Sequence, residues 1–173
     1  MSVLNQKQQI EADSKARLRL WIRLLDASRS VESVLRENMR TQFDSTLPRF
    51  DVMAALDHFP KGLKMSELSK ELRVSNGNVT VIVERLVENG FVVREAVLGD
   101  RRAMRVRLTK KGEDEFHTQA KVHETWVSDL LADVSPKLAI EMAELLKHVS
   151  DNPSKLGQSL EQDIETKKAQ SCV

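Results

Sequence analysis

A cluster of small polar side chains in residues 75–85 has the chemistry needed to read DNA. Its two amides can bond adenine edges, its valine methyls can touch a thymine methyl, and its hydroxyl and guanidinium groups can bind phosphates. A helix that places its first turn in a major groove needs such a face. The members of this predicted recognition surface are Ser75, Asn76, Gly77, Asn78, Thr80, Val81 and Arg85.

Apolar residues at helical spacing predict that this surface lies on one side of a helix over residues 75–90. The spacing is i, i+3, i+4 and i+7, which makes one stripe for the core. Ser75 is a suitable N-cap, because its hydroxyl can accept from a first-turn amide, and Gly90 can end the helix with a positive φ. An ordinary solvated helix has the same period, and Glu84 and Glu88 favour that interpretation. The stripe consists of Val79, Ile82, Val83 and Leu86.

A second group of charged residues follows in residues 91–108, where the sequence period changes to two. Both halves of this segment alternate as strands do, and the turn between them contains Gly99 and Asp100. The segment therefore predicts a β-hairpin, and Arg101 and Arg102 give it a basic tip. A solubilising edge hairpin would explain any single arginine, but it explains less well a run of arginines directly after a candidate reading helix.

The remaining periodicity predicts the elements that position these groups. A long helix covers about residues 14–40, short helices cover 46–58 and 65–73, and two more helices follow the hairpin from 109 to about 150. Two short helices with a tight connection form a helix-turn-helix, and the hairpin adds a wing. The predicted fold class is mainly α (α+β), a winged helix-turn-helix with long terminal helices.

The long helices at both ends carry more apolar surface than one packing partner can cover, which favours a symmetric homodimer. We therefore expect dimerisation helices on both sides of a central DNA-binding domain. The predicted organisation is a flexible N-terminus at 1–13, a dimerisation helix at 14–45, the winged domain at 46–111, dimerisation helices at 112–150 and a mobile polar tail at 151–173.

Composition narrows the class of protein. The 173 residues have a net charge of +1 and 40% hydrophobic residues, typical of a globular domain. We expect no membrane segment and no secretion signal, hence a cytoplasmic protein. The single cysteine, Cys172, excludes an intrachain disulfide. The histidines lack the spacing of metal ligands, and no catalytic motif is present, so we expect no metal, no cofactor and no enzymatic activity.

Three stretches together resemble the MarR family of transcription regulators. GDRRAMRVRLTKKG at 99–112 resembles the family's wing signature, SNGNVTVIVERLVENGFV at 75–92 its recognition helix, and MSELSKEL at 65–72 the helix before it. The wing signature is the specific part, because the helix-turn-helix pattern alone is generic. The resemblance spans about residues 15–150 and implies a homodimer on a palindromic operator in double-stranded DNA.

The resemblance also implies roles for the wing. Arg102 matches the arginine that enters the minor groove. Arg101 lies beside it in the sequence and would bind phosphate, and Asp100 matches the acidic residue that braces the arginine by a salt bridge. A narrow A/T-rich minor groove has a negative potential that favours an inserted guanidinium, so these roles are physically sensible.

Similarity to family members that control aromatic-acid degradation implies a small-molecule effector. Three stretches carry that similarity: LRLWIRLL at 18–25, TLPRFDVMAAL at 46–56 and VSNGNVT at 74–80. The effector would be an aromatic acid or an aryl-CoA thioester such as a hydroxycinnamoyl-CoA. Taken singly, the apolar candidates are more often core residues, and the arginines are more often part of a solvated helix face. Three arginines on one long helix, however, would suit phosphates such as those of CoA. The candidate ligand residues are Trp21, Arg29, Arg36, Arg40, Phe50, Met53 and His117.

The resulting hypothesis is a ligand-responsive DNA-binding regulator, a repressor that its ligand releases from DNA. The alternative is a winged-helix module that binds acidic protein partners and no DNA. Salt dependence separates the two hypotheses, because binding through phosphates weakens in proportion to the phosphates neutralised.

Overall fold

The computed structural model describes the backbone of residues 3–97 and 100–151 and the side chains of residues 12–96 and 104–151. The chain divides into two compact units, Met1–Leu130 and Leu131–Val173, and α6 belongs to the second. In order, the elements are α1 (Val3–Phe43), α2 (Leu47–His58), β1 (Leu63–Lys64), α3 (Met65–Glu71), α4 (Asn76–Glu88), β2 (Val92–Val97), β3 (Asp100–Leu108), α5 (Lys110–Leu130) and α6 (Pro136–Asp151).

The predicted fold class is confirmed: a mainly helical chain carries a small antiparallel sheet in the order β1-β3-β2. The β2–β3 hairpin is the predicted wing, with Arg94 opposite Val106. Strand β1, in which Leu63 lies opposite Val106, is not predicted from the sequence. Two residues cannot show a strand period, so this pairing depends on the edge that β3 offers and not on local sequence.

Helix boundaries differ from the prediction at both ends of the chain. α1 begins at Val3 instead of near Ser14. Residues 3–13 are rich in Gln, Lys, Glu and Ala, which favour a helix even without an apolar stripe. The apolar periodicity predicts that α5 continues to Val134, but the helix ends at Leu130. Residues 152–173, which include the predicted tail and Cys172, lie outside the described residues.

Helix α4 packs by its apolar stripe, as predicted. Val79, Val83 and Leu86 are fully buried in the core, and Ile82 packs partly buried against them. The prediction for Ser75 is half wrong: it is the N-cap residue, but its hydroxyl makes no capping bond. Its backbone carbonyl accepts from the Val79 amide at 3.3 Å, which closes the first turn. The remaining first-turn amides therefore lie at an exposed helix end.

Two backbone reversals fix the direction of α4. Before it, Arg73 has a φ of +54°, and the Val74 amide donates to the Ser69 carbonyl at 3.1 Å. After it, Gly90 has a φ of +73°, as predicted. The Phe91 amide then donates to Leu86 at 2.9 Å. Both turns have the left-handed residue and the bond pattern that end helices sharply, so the chain enters and leaves α4 in a defined direction.

The wing is joined to α5 by a compact junction centred on Thr109. The Thr109 amide donates to the Phe91 carbonyl at 2.9 Å, and its hydroxyl donates to the Gly90 carbonyl at 2.7 Å. The same hydroxyl oxygen accepts from the Gly112 amide at 3.0 Å, so Thr109 caps α5 as predicted. A Cβ on Gly112 would lie 2.0 Å from the Phe91 oxygen. The Leu-Thr and Gly of the wing signature therefore have a structural role.

Candidate nucleic-acid interface and an adjoining cavity

The predicted recognition surface lies on the open side of α4. Val81 is 53% exposed even though it is apolar. Thr80 is the one member that is partly buried. A single exposed apolar side chain is ordinary on a protein surface, so Val81 is a candidate for partner contact only together with the exposed polar side chains around it. The exposed members are Ser75, Asn76, Gly77, Asn78, Val81 and Arg85.

Helix geometry explains this distribution. Successive residues turn by about 100°, so Val81 lies nearly opposite the buried Val79. Asn78 and Ile82 lie on one flank between these two directions, and Thr80 lies on the other flank. The helix thus has three distinct surfaces: a core stripe, an outer face around Val81, and a flank that carries Asn78.

The Thr80 hydroxyl already has a partner within α4. It donates to the Asn76 carbonyl at 2.9 Å. A phosphate oxygen needs a donor, so Thr80 would have to rotate to fill the phosphate-binding role predicted for it. We therefore place base and phosphate contacts first on Asn76, Asn78 and Arg85.

Ion pairs hold the wing against α4 and along its own strands. Arg94 of β2 approaches Glu84 of α4 at 3.8 Å. Arg107 of β3 forms a cross-strand pair with Glu95, and its Nε donates to Glu95 Oε1 at 2.9 Å. That hydrogen bond lowers the pKa of the Glu95 carboxyl. These two arginines of the basic segment thus have intramolecular partners.

The two lysines after the wing also bind within the chain. Lys110 pairs with Asp114 at 2.9 Å. Lys111 donates to the Asn89 carbonyl at 2.9 Å and lies 4.8 Å from the centre of the Phe91 ring. Lys110 thus pairs within α5 and Lys111 bonds the end of α4, so the tip of the wing is the first candidate in this segment for DNA contact.

The tip of the wing belongs to β3 by its backbone. Val97 lies opposite Asp100, and the register shifts between Ala96 and Val97. The side chains of Asp100, Arg101 and Arg102 lie outside the described residues. Their roles remain predictions from the family resemblance.

A cavity of about 1090 Å³ adjoins the recognition surface. Arg36 and Arg40 of α1 line one side of it, and Asn78, Val81 and Ile82 of α4 line another. Most of its lining surface is apolar, and its charged lining residues include the two arginines and two carboxylates, Asp51 and Glu71. The other lining residues are Ser45, Thr46, Pro48, Ala54, Ala55, His58, Leu72 and Val74.

Both arginines of the cavity are paired on the surface of α1. Arg40 binds Glu37 through two bonds of 3.0 and 2.6 Å, which lower the pKa of Glu37, and Arg36 pairs with Glu32. All four side chains are about half exposed or more, and surface pairs of this kind contribute little to stability. An anionic ligand could therefore take over either guanidinium at small cost.

The carboxyl of Asp51 lies on the α2 side of the cavity. Asp51 is solvent-exposed, but desolvation by the atoms around its carboxyl raises the pKa, and the negative charge of Glu32 adds to that shift. A second anion next to Asp51 would be repelled while the carboxyl is ionised. The anionic part of a ligand should therefore face the arginines, and its apolar part should face α2 and α4.

The structure separates the residues predicted to bind a ligand. Only Arg36 and Arg40 line the cavity. Phe50 is 8% exposed and Met53 is 1% exposed, and both belong to the core cluster. The Phe50 ring stacks on His123 at 4.6 Å, and burial lowers the pKa of that histidine. Packing between α2 and α5 uses these apolar side chains, so we do not assign them to the cavity.

The other three candidates also lie away from the cavity. Trp21 is 56% exposed on α1, and Arg29 is exposed on the same helix. His117 Nε2 lies 3.1 Å from the Asp57 carboxylate, in a contact between α5 and α2. Asp51, His58 and most of the other residues that line the cavity are not predicted from the sequence. No local pattern marks those residues, because the cavity arises where α1, α2, α3 and α4 meet.

Metal-binding clusters and membrane-spanning helices are both absent from the described residues. No group of three or more His, Cys, Asp and Glu side chains there could hold a metal ion. None of the helices in that part of the chain is both long and apolar enough to cross a membrane.

Comparisons with known proteins agree with this architecture. A family model described as the MarR family matches residues 43–103, from the end of α1 into the wing. The chain is 30% identical over 84 residues to the HTH-type transcriptional regulator YkoM of Bacillus subtilis, a match that covers 49% of this chain and 54% of that relative. The chain thus matches about half the length of YkoM.

Solved structures extend the likeness to most of the chain. A MarR family transcriptional regulator from Silicibacter pomeroyi is 29% identical, with a TM-score of 0.65 over 87% of this chain and 98% of that one. Sco3205 from Streptomyces coelicolor, solved in complex with DNA, is 22% identical, with a TM-score of 0.71 over 80% of this chain and 89% of that one. At that identity the second likeness concerns the fold alone.

The fold defines a winged helix-turn-helix protein. The family model and the Silicibacter pomeroyi structure show that this winged helix-turn-helix is similar to MarR family transcription regulators.

Proposed function

We propose that this protein is a DNA-binding transcription regulator that reads a major groove with the N-terminal turn of α4. The observation that carries the proposal is the exposed set of small polar side chains around Asn76 and Asn78, next to the exposed Val81. Amides and a methyl-bearing side chain suit base edges, and an exposed helix end offers amides to phosphates. The Streptomyces coelicolor protein of like fold was itself solved with DNA.

The wing supplies the second contact in this proposal. In it, the wing tip reaches a flanking minor groove. The β2–β3 register and the ion pairs at Arg94 and Arg107 support the strands that carry the tip. Arg102 would enter that groove, Arg101 would bind phosphate, and Asp100 would brace Arg102. These three roles come from the family resemblance and from the position of the residues at the start of β3.

A homodimer would place two copies of α4 on a palindromic operator. α1 exposes Leu18, Trp21 and Ile22. Helix α6, taken by itself, has no buried residue and exposes large apolar side chains such as Ile140 and Leu145. Apolar surface of this extent usually marks an interface. Two-fold symmetry would set the reading helices about one DNA turn apart, roughly 34 Å.

The cavity is the proposed effector site. Its volume of about 1090 Å³ is just above the usual range of small-molecule sites, roughly 300–1,000 Å³. Arg36 and Arg40 suit a carboxylate or phosphate, and the aliphatic walls suit an aryl group. We therefore propose an aryl-CoA thioester such as a hydroxycinnamoyl-CoA, or its free acid, whose binding relieves repression of genes for aromatic-acid catabolism.

Fluorescence anisotropy tests both parts of the proposal. The probe is the intergenic DNA beside the protein's own gene, with random duplex as competitor. Phosphate contacts predict tight binding that falls by about 10³-fold or more between about 50 and 200 mM salt. p-Coumaroyl-CoA should release the DNA, whereas CoA alone should not. No binding to either duplex at low salt would refute the DNA-binding proposal and favour a protein-interaction module.

Matched arginine variants locate the effector. Arg40→Gln removes a guanidinium that lines the cavity, whereas Arg29→Gln removes an exposed one on the same helix outside it. The first should raise the concentration of p-coumaroyl-CoA needed for release by at least about tenfold, as loss of a charged hydrogen bond does. The second should leave it unchanged. If both variants release DNA at the same concentration of p-coumaroyl-CoA, the cavity is not the effector site, but the proposal of a DNA-binding regulator stands.

A further inference from the structure

The cavity and the recognition surface share two residues. Asn78 and Val81 belong to the face proposed to read DNA, and both also line the cavity. They lie on the flank and the outer face of α4 respectively, one helical turn or less apart. The edge of the cavity therefore reaches the face that would enter a groove.

The shared edge is apolar and open. Val81 is 53% exposed, and Val74, which also lines the cavity, is 44% exposed. An aryl group resting on the cavity wall would cover these side chains and gain the stabilisation that follows from removing apolar surface from water. A thymine methyl against Val81 would cover the same surface. One patch of α4 thus suits two kinds of partner.

We propose that a ligand in this cavity and DNA exclude each other directly, because both need Asn78 and Val81. This inference rests on the proposed function. The ligand would have an aryl group against Val74 and Val81 and an anionic group at Arg36 or Arg40. No change in the spacing of the two reading helices is needed, since the bound ligand itself covers the reading face.

Direct exclusion differs measurably from coupling through a change of shape. If a complex of protein, DNA and ligand can form, the apparent affinity for DNA falls to a plateau set by the coupling factor, typically 5–150-fold. If the two partners exclude each other, no such complex forms and no plateau appears. DNA must also slow occupation of the cavity, because the linkage is reciprocal.

A covalent probe tests exclusion without a known ligand. The native cysteine is replaced by Cys172→Ser, and Ala55→Cys places a thiol on the α2 wall of the cavity, away from α4's outer face. N-(1-pyrenyl)maleimide then fills the cavity with an aryl group, whereas methyl methanethiosulfonate adds only a small methylthio group. The control carries Lys121→Cys, an exposed position on α5.

We expect the pyrenyl group at position 55 to weaken DNA binding by more than about 150-fold, beyond the upper end of ordinary coupling. A smaller loss would indicate coupling through a change of shape and would refute direct exclusion. The methylthio group at 55 and either group at 121 should leave binding unchanged. DNA should in turn slow pyrenyl labelling at 55 but not at 121. Thermal unfolding of each labelled protein identifies any loss of fold. Asp51→Cys, at an exposed position of the same cavity, provides a second site.

Two failures can be told apart. If pyrenyl groups at 55 and 51 leave DNA binding and DNA leaves their labelling rates unchanged, the exclusion is refuted while DNA binding stands. If the unlabelled protein binds no duplex at low salt, the proposed function itself fails.

Discussion

Replacing Gly112 with alanine is expected to destabilise the folded protein by roughly 3 kcal/mol or more, a size typical of severe overpacking. The new Cβ would lie 2.0 Å from the Phe91 carbonyl oxygen. That oxygen already accepts from the Thr109 amide at 2.9 Å, so it cannot move without breaking the junction between wing and α5. Both atoms in the clash are fixed by backbone, and no flexible side chain can relieve it.

Gly77→Ala is the matched control for this variant. A Cβ on Gly77 would meet nothing within 4 Å, and alanine favours helix over glycine by about 1 kcal/mol. Urea unfolding at one fixed protein concentration should therefore show a lowered midpoint for Gly112→Ala and an equal or higher one for Gly77→Ala. If Gly112→Ala unfolds at the wild-type urea concentration, the described junction is incorrect.

Replacing Val81 with glutamate is expected to lower DNA affinity by about 100-fold while leaving the fold intact. The side chain is 53% exposed, so the substitution removes little core packing. A carboxylate there would face a polyanion without a donor to bond it, and loss of one base-edge contact alone typically costs about 1–3 kcal/mol. The loss would occur in both halves of a dimer, which makes it larger.

Thr118→Glu is the control for charge. Thr118 is exposed on α5 and its substitution changes the net charge by the same amount. Anisotropy with the intergenic probe should show near wild-type binding for this variant. Equal affinity for Val81→Glu and the wild-type protein would mean that the outer face of α4 does not touch DNA, even if the protein binds DNA elsewhere.

The parts of the fold that sequence predicts well are those with a local cause. The stripe at Val79, Val83 and Leu86 fixes which side of α4 is buried, and Gly90 marks the positive φ at its end. The alternation on both sides of Gly99 predicts the wing. In each case the period or the residue type itself carries the physical requirement.

The parts that sequence does not predict depend on contacts between distant elements. β1 is two residues long and exists because β3 offers it a partner. Phe50 and Met53 look equally suited to a ligand site or a core, and packing against α5 decides for the core. The cavity lies among α1, α2, α3 and α4, so only the folded chain brings Arg40 and Asn78 to one site.

The central claim is that α4 lies in a major groove and the wing in a minor groove. Dimethyl sulfate tests both contacts at once on the bound intergenic DNA, because it methylates guanine N7 in the major groove and adenine N3 in the minor groove. The proposed dimer predicts two blocks of protected guanine N7 about 10 base pairs apart, flanked by protected adenine N3. A bound complex that leaves guanine N7 as reactive as in free DNA would contradict it.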